Sequence, residues 1–277
     1  MGRKVLVPAL ILIFCHAPVW AESLKLFFLD VGEGDAIYIE TPDTQRILID
    51  TGNLISGYKV VQFLKKRGIK KLDILIITHP HPDHAGGVFH ILQQIKANAL
   101  YDNGQELDNS SDYDIYRWYS SIYRNGNYRA LKAGDSIPMG KVVINILWPY
   151  RFTSDWNENT LVLKIIYGET SFILMGDANT GIEKSLLKNS AGLKANLLKT
   201  GHHGAKDASS EEFIKAVSPE YAVISADKNN AQGNPESDVT ERLKNNGVKI
   251  FSTYRDGDIA FESDGKKIKR GRLQRQY

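Results

Sequence analysis

Cysteine is nearly missing from these 277 residues, since Cys15 is the only one. Such a chain closes no internal disulfide, and Cys15 lies in an N-terminal stretch expected to be removed, so a metal must sit on histidine and carboxylate rather than thiolate. An excess of charge of one sign is lacking too. Lys and Arg number 35 against 32 Asp and Glu, a formal net charge of +3, which gives the body no strong field to draw in nucleic acid. Past the N-terminal stretch, no apolar run reaches the roughly 20 residues that a membrane-crossing helix needs.

What is present begins with an expected signal peptide over residues 1–21. Arg3 and Lys4 give a charged start, Val5 to Phe14 an apolar centre, and Val19-Trp20-Ala21 a cleavage region. Bulky Phe14 before Cys15 argues against a lipid attachment signal. The expectation is a secreted or periplasmic chain with no stable membrane insertion. Removing the segment takes away two basic residues, leaving 33 against 32 and a net charge of +1. Residues 22–264 read as one domain, followed by a basic tail, 265–277, carrying Lys266, Lys267, Lys269, Arg270, Arg272 and Arg275. A solvated terminus explains that tail best, with phosphate contact as the alternative. The oligomeric state is not legible.

Strand-like runs at 24–29, 36–40 and 46–50 are separated by glycine-rich or Pro-Asp turns. Helical spacing follows at 58–67, with Val60, Val61, Phe63 and Leu64 on one side and Gly68 as a stop. An apolar strand at 73–77 and a helix at 88–97 come next. Residues 103–127, rich in Tyr and Trp, read as a loop and short helix over a site, with ordinary packing ahead of base stacking. Strands resume at 141–147, 161–167 and 171–175, and helix then alternates with strand to the end. Periodicity alone gives a mixed α and β fold.

The densest chemistry lies just after the 73–77 strand, in His79-Pro80-His81-Pro82-Asp83-His84-Ala85-Gly86-Gly87. Imidazole nitrogens and carboxylate oxygens suit zinc-like cations. His79 and His81 project the same way from extended chain, while Asp83 and His84 turn past Pro82 toward a second cation. Three histidines and an aspartate in one turn exceed what an incidental polar loop would hold.

This motif resembles the signature of metallo-β-lactamase-fold hydrolases. The stretches Phe28 to Ala36, Leu48 to Gly52, Asn159 to Leu163, Leu174 to Ala178 and Leu198 to Gly204 narrow the resemblance to the hydrolase domain of ComEC-type competence proteins, which act in DNA uptake. The resemblance implies a four-layer αββα sandwich. It implies metal ligands at His79, His81, Asp83, His84, Asp177 and His202, with Asp177 bridging two ions. Asp83 also orients the nucleophile, and His203 binds a phosphate oxygen or protonates the leaving group. Asn159 is expected to contact substrate and Asp30 to orient a histidine from behind. One or two Zn2+ ions are implied, with Mn2+ as the alternative. Two departures stand out: Asn157-Glu158-Asn159 where many relatives supply a histidine, and Gly233-Asn234-Pro235-Glu236 where Gly-His-Pro-His is common.

Three readings result. The first is a metal-dependent phosphodiesterase or nuclease using metal-activated water on DNA or related phosphodiesters. The second is a hydrolase of another ester or amide, such as a phosphocholine ester, a lactone or a β-lactam. The third is a metal-poor binding protein of the same fold, suggested by Asn159 and Asn234.

Overall fold

In a computed structural model, residues 23–105, 114–123, 126–190, 192–227 and 233–271 are described. The expected signal peptide, Tyr113, Arg272 and Arg275 lie outside them. The first half runs β1 (Leu24–Phe28), β2 (Ile37–Glu40), β3 (Arg46–Ile49), α1 (Gly57–Lys66), β4 (Lys71–Ile76), α2 (Pro82–Ala85), α3 (Val88–Gln94), β5 (Lys96–Asp102), α4 (Asp114–Tyr123) and β6 (Tyr128–Ala130). The second runs β7 (Ser136–Met139), β8 (Val142–Trp148), β9 (Val162–Tyr167), β10 (Thr170–Leu174), α5 (Thr180–Asn189), β11 (Leu197–Lys199), α6 (Glu211–Val217), β12 (Tyr221–Ile224), α7 (Ser237–Asn245), β13 (Lys249–Ser252), α8 (Thr253–Asp256), β14 (Ile259–Ser263) and β15 (Ile268–Arg270).

These strands form two sheets, ordered β15-β14-β1-β2-β3-β4-β5-β6 and β13-β12-β11-β10-β9-β8-β7. Between them lies one apolar layer that includes Leu26, Ile39, Ile49 and Ile76 from the first and Ile144, Leu163, Phe172 and Val223 from the second. Strict alternation of buried and half-buried residues along β8 shows how one face feeds this layer. Each such side chain contributes roughly 1.5–3 kcal/mol. On the outer face of the first sheet, Val60, Val61 and Leu64 of α1 pack with Val88 and Ile91 of α3. Helices α5 and α6 cover the second through Ile182, Leu186, Phe213 and Val217. Helix on sheet, sheet on sheet, and helix again give the αββα sandwich.

Several elements differ from expectation. Helix α3 stops at Gln94, and Lys96–Asp102, expected in part as helix, is strand β5, parallel to β4. Strand β7 contains Pro138, which a sheet tolerates at an edge, and β7 is the edge of its sheet. Strand β14 pairs with β1, and β15 pairs with β14, so Ile268–Arg270, within the expected basic tail, form the edge of the first sheet. In α4, Tyr119 is buried and donates its hydroxyl to Asp102 Oδ2 at 3.2 Å, while the Trp118 ring lies 5.4 Å from that of Phe89. These two aromatics are spent on packing.

The topology brings chemistry to one rim. Strands β3 and β4 run parallel in one sheet, and β10, β11 and β12 run parallel in the other. Asp50, His79, Asp177 and His203 each follow the C-terminal end of one of these strands. The Leu161 amide donates to the Thr78 carbonyl at 2.9 Å, tying the sheets together at that rim.

Candidate metal centre

Two donor groups converge at the rim. One comprises His79, His81 and Asp177, the other Asp83, His84, Asp177 and His203. Asp177 divides its carboxylate between them: Oδ2 lies 3.5 Å from His79 Nε2, and Oδ1 lies 3.0 Å from His84 Nε2 and 3.4 Å from His203 Nε2. Asp83 Oδ2 closes the second group at 3.3 Å from His203 Nε2 and 3.8 Å from His84 Nε2. Donors about 2.1 Å from a tetrahedral cation stand about 3.4 Å apart, which these separations match. The buried atoms His84 Nε2, His203 Nε2 and Asp177 Oδ1 make no hydrogen bond although they face one another. They point at a shared centre, and a divalent cation fits it.

Electrostatics within the cluster agree. Burial alone would raise the Asp177 carboxyl, yet the His84 and His203 imidazoles overcome it and hold it well below its ordinary range. Burial opposes charge on His84 as well, and the carboxylates of Asp177, Asp83 and Asp50 reverse that, keeping its proton well above the usual value. Burial and the neighbouring His79 ring push His81 down to about 4. Against its burial, the Asp177 and Asp83 carboxylates raise His203 as well, so a cation held by His84 and His203 would compete with protons there and bind more weakly as pH falls.

The tandem histidines are arranged the other way round from the expectation. His202 and His203 both take left-handed backbone, φ 46° and 53°, which costs of order 1 kcal/mol each. This sends His203 inward, 2 % exposed, with its Nδ1 3.0 Å from the Ser225 carbonyl, which fixes Nε2 toward Asp83 and Asp177. His202 sits outside the donor groups, its Nδ1 3.4 Å from Asp207 and its Nε2 3.4 Å from the Asn157 side chain. Asp30 also lies elsewhere: its amide donates to Asp258 at 2.8 Å, its Oδ1 accepts the Gly32 amide, and among the described residues no histidine hydrogen-bonds to it. Asn159 is buried and clasps Thr153, accepting its amide at 2.8 Å and donating to its carbonyl at 3.0 Å. Its side chain thus closes the loop that carries Thr153. Asn234 is buried, and the second group has four His and Asp donors without it.

Asp50 takes the orienting place that Asp30 does not. It accepts from His84 Nδ1 at 2.8 Å, from the Thr78 amide at 2.7 Å and from the Thr78 hydroxyl at 2.8 Å. Only its position after an apolar strand hinted at this. Removing such a partner typically weakens metal binding 10- to 100-fold. Asp50→Asn is expected to lose about that much Zn2+ affinity in a competitive chelator titration, and a change below about 3-fold would refute the orienting role.

Beneath the donors lies a second unforeseen pair. Lys199 Nζ is 2.5 Å from Asp35 Oδ2, and both side chains are fully buried. Asp35 stands with Asp50 and His84 in a further acidic cluster. Its neighbour Gly34 has φ +110°, and a methyl there would meet the Asp83 carbonyl oxygen at 2.0 Å. Only glycine lets this loop pass directly under the metal loop.

A rim of histidines and carboxylates at the strand ends of an αββα sandwich defines a metallohydrolase-type fold and site. A model of the Metallo-beta-lactamase superfamily matches residues 29–227, and the chain belongs to that superfamily. It is similar to ComE operon protein 3 of Bacillus subtilis, at 29 % identity over 262 residues, covering 88 % of this chain and 34 % of that protein. Competence protein ComA of Neisseria gonorrhoeae is 28 % identical over 248 residues, 88 % of this chain and 33 % of its own length. The chain thus spans about a third of these curated relatives. Among solved structures, the metallo-beta-lactamase fold protein YhfI from Bacillus subtilis superposes with a TM-score of 0.57 at 14 % identity, covering 87 % of this chain and all of that one. That likeness concerns the fold. Among the described residues no helix is long and apolar enough to cross a membrane.

Proposed function

We propose that this chain is a secreted or periplasmic metal-dependent phosphodiesterase, acting on DNA or related phosphodiesters. The observation that carries the metal-dependent hydrolysis is the division of the Asp177 carboxylate between two donor groups, the arrangement that two-cation phosphodiester hydrolysis uses. The phosphodiester preference is supported by similarity to competence proteins along nearly the whole chain. His79, His81 and Asp177 would hold one cation, and Asp83, His84, Asp177 and His203 the other, with Zn2+ or Mn2+ as the ions. Bound there, the cations supply Lewis acidity and lower the pKa of water. Asp50 fixes the His84 ring, and the Ser225 carbonyl fixes that of His203. Asp83, 30 % exposed and 3.3 Å from His203 Nε2, is the carboxylate that would orient an attacking water. His202, 22 % exposed, stands beside Asn157 and outside both donor groups.

The test is a substrate panel on purified protein whose metals have been counted by mass spectrometry. Hydrolysis of bis-p-nitrophenyl phosphate and of DNA, abolished by chelation and restored by Zn2+ or Mn2+, is the expected result. Turnover confined to a β-lactam, a lactone or a phosphocholine ester would overturn the proposal.

A further inference from the structure

Seven large apolar side chains are exposed among the described residues, and five fall in two short segments: Leu54, Ile55 and Tyr58 in one, Tyr150 and Phe152 in the other. The first segment is tied to the metal loop by backbone: a methyl on Gly86 would meet the Leu54 amide nitrogen at 2.7 Å. The second sits on the segment between β8 and β9 that carries Trp156, whose ring stacks on His81 with centroids 5.6 Å apart and planes 30° apart. Exposed apolar side chains scattered singly are ordinary, but a concentration beside one site marks a ligand surface.

The 149–158 segment is held rigid. The Trp148 indole N–H donates to the Glu158 carbonyl at 2.6 Å, Asn159 clasps Thr153 through two hydrogen bonds, and Asp155 accepts the Asn157 amide at 2.8 Å. Tyr150 and Phe152, 49 % and 52 % exposed, are therefore presented rather than left loose, with exposed Arg151 between them. The Tyr150 ring packs edge-on against Trp148 with centroids 5.4 Å apart, and both rings keep an exposed surface. Aromatic faces interleaved with a cation, next to a centre built for phosphodiesters, fit successive unpaired bases, since every base has a π-face and the cation meets the backbone. A duplex hides its bases and gains nothing from such rings.

Resting on the phosphodiesterase reading above, we infer that Tyr150, Phe152 and Trp156 form a stacking platform that selects single-stranded nucleic acid. Trp156 sets the platform against the metal centre through His81, while Tyr150 and Phe152 extend it outward. The near-neutral chain gains affinity from base stacking where it lacks a strong field.

The experiment compares kcat/KM on a single-stranded oligodeoxynucleotide, on the same sugar-phosphate backbone without bases, and on a duplex. The wild-type protein is expected to favour the base-bearing single strand over both others. In Tyr150→Ala/Phe152→Ala the ratio of base-bearing to base-free turnover is expected to fall about 5- to 100-fold. The Leu/Leu version, which keeps apolar bulk and guards against a folding defect, is expected to show the same fall. An unchanged ratio, or restoration by leucine, overturns the platform while leaving the phosphodiesterase standing. Turnover of bis-p-nitrophenyl phosphate with no oligomer cleaved also overturns it, and no diester turnover at all removes the reading beneath it.

Discussion

Asp177→Ala is expected to lower kcat/KM for bis-p-nitrophenyl phosphate by about 10³-fold, at the upper end of what removing one preorganised charge-stabilising group costs. The size follows from its two oxygens serving different donor groups, so one truncation damages both cation positions. Metal content, measured by mass spectrometry after dialysis, should fall in parallel. Asp177→Asn separates charge from shape, because it keeps one oxygen and loses the negative charge. A loss of less than about 10-fold in the alanine variant would mean that the carboxylate is not shared.

Lys199→Met should destabilise the chain by about 3–5 kcal/mol in urea unfolding followed in the presence of chelator. Breaking a buried ion pair leaves the remaining charge without compensation, which outweighs the modest net value of the intact pair. Asp35→Asn/Lys199→Met removes both charges and is expected to recover most of the loss. Burial alone would raise the Asp35 carboxyl, and the Lys199 ammonium overcomes this and holds it below its ordinary range. A carboxyl lowered in the folded state stabilises fully above its unfolded pKa of about 3.9, and that contribution is lost as pH falls through the folded value. The gap between wild type and Lys199→Met should therefore be widest near neutrality and narrow below pH of about 4. A gap that widened in acid would contradict this account.

The metal loop was legible because its chemistry is local: His79, His81, Asp83 and His84 crowd directly after an apolar strand, at a donor density that an ordinary surface turn does not reach. Asp177 was legible for a similar reason, standing just past a strand end. Asp50 has an equally exposed position in the sequence, but a lone aspartate after a strand also describes an ordinary turn, and its contact with His84 comes from the pairing of β3 with β4. The choice between His202 and His203 depends on two successive left-handed residues, a backbone choice that tandem histidines do not reveal. Lys199 and Asp35 lie far apart in sequence, and a lysine carries no local sign that it will be fully buried. Strand β14 was hidden because its partner β1 lies at the opposite end of the domain, and β15 joins the sheet only through β14.

The donors span both halves of the polypeptide, His79 to His84 from the first sheet and Asp177 and His203 from the second. A nascent chain that has completed only its opening half cannot assemble either coordination sphere. A product truncated before Asp177 would lack the carboxylate that both donor groups share. Loading with metal would also act as a clasp across the interface, raising resistance to heat or denaturant in proportion to the logarithm of free ion above its dissociation constant.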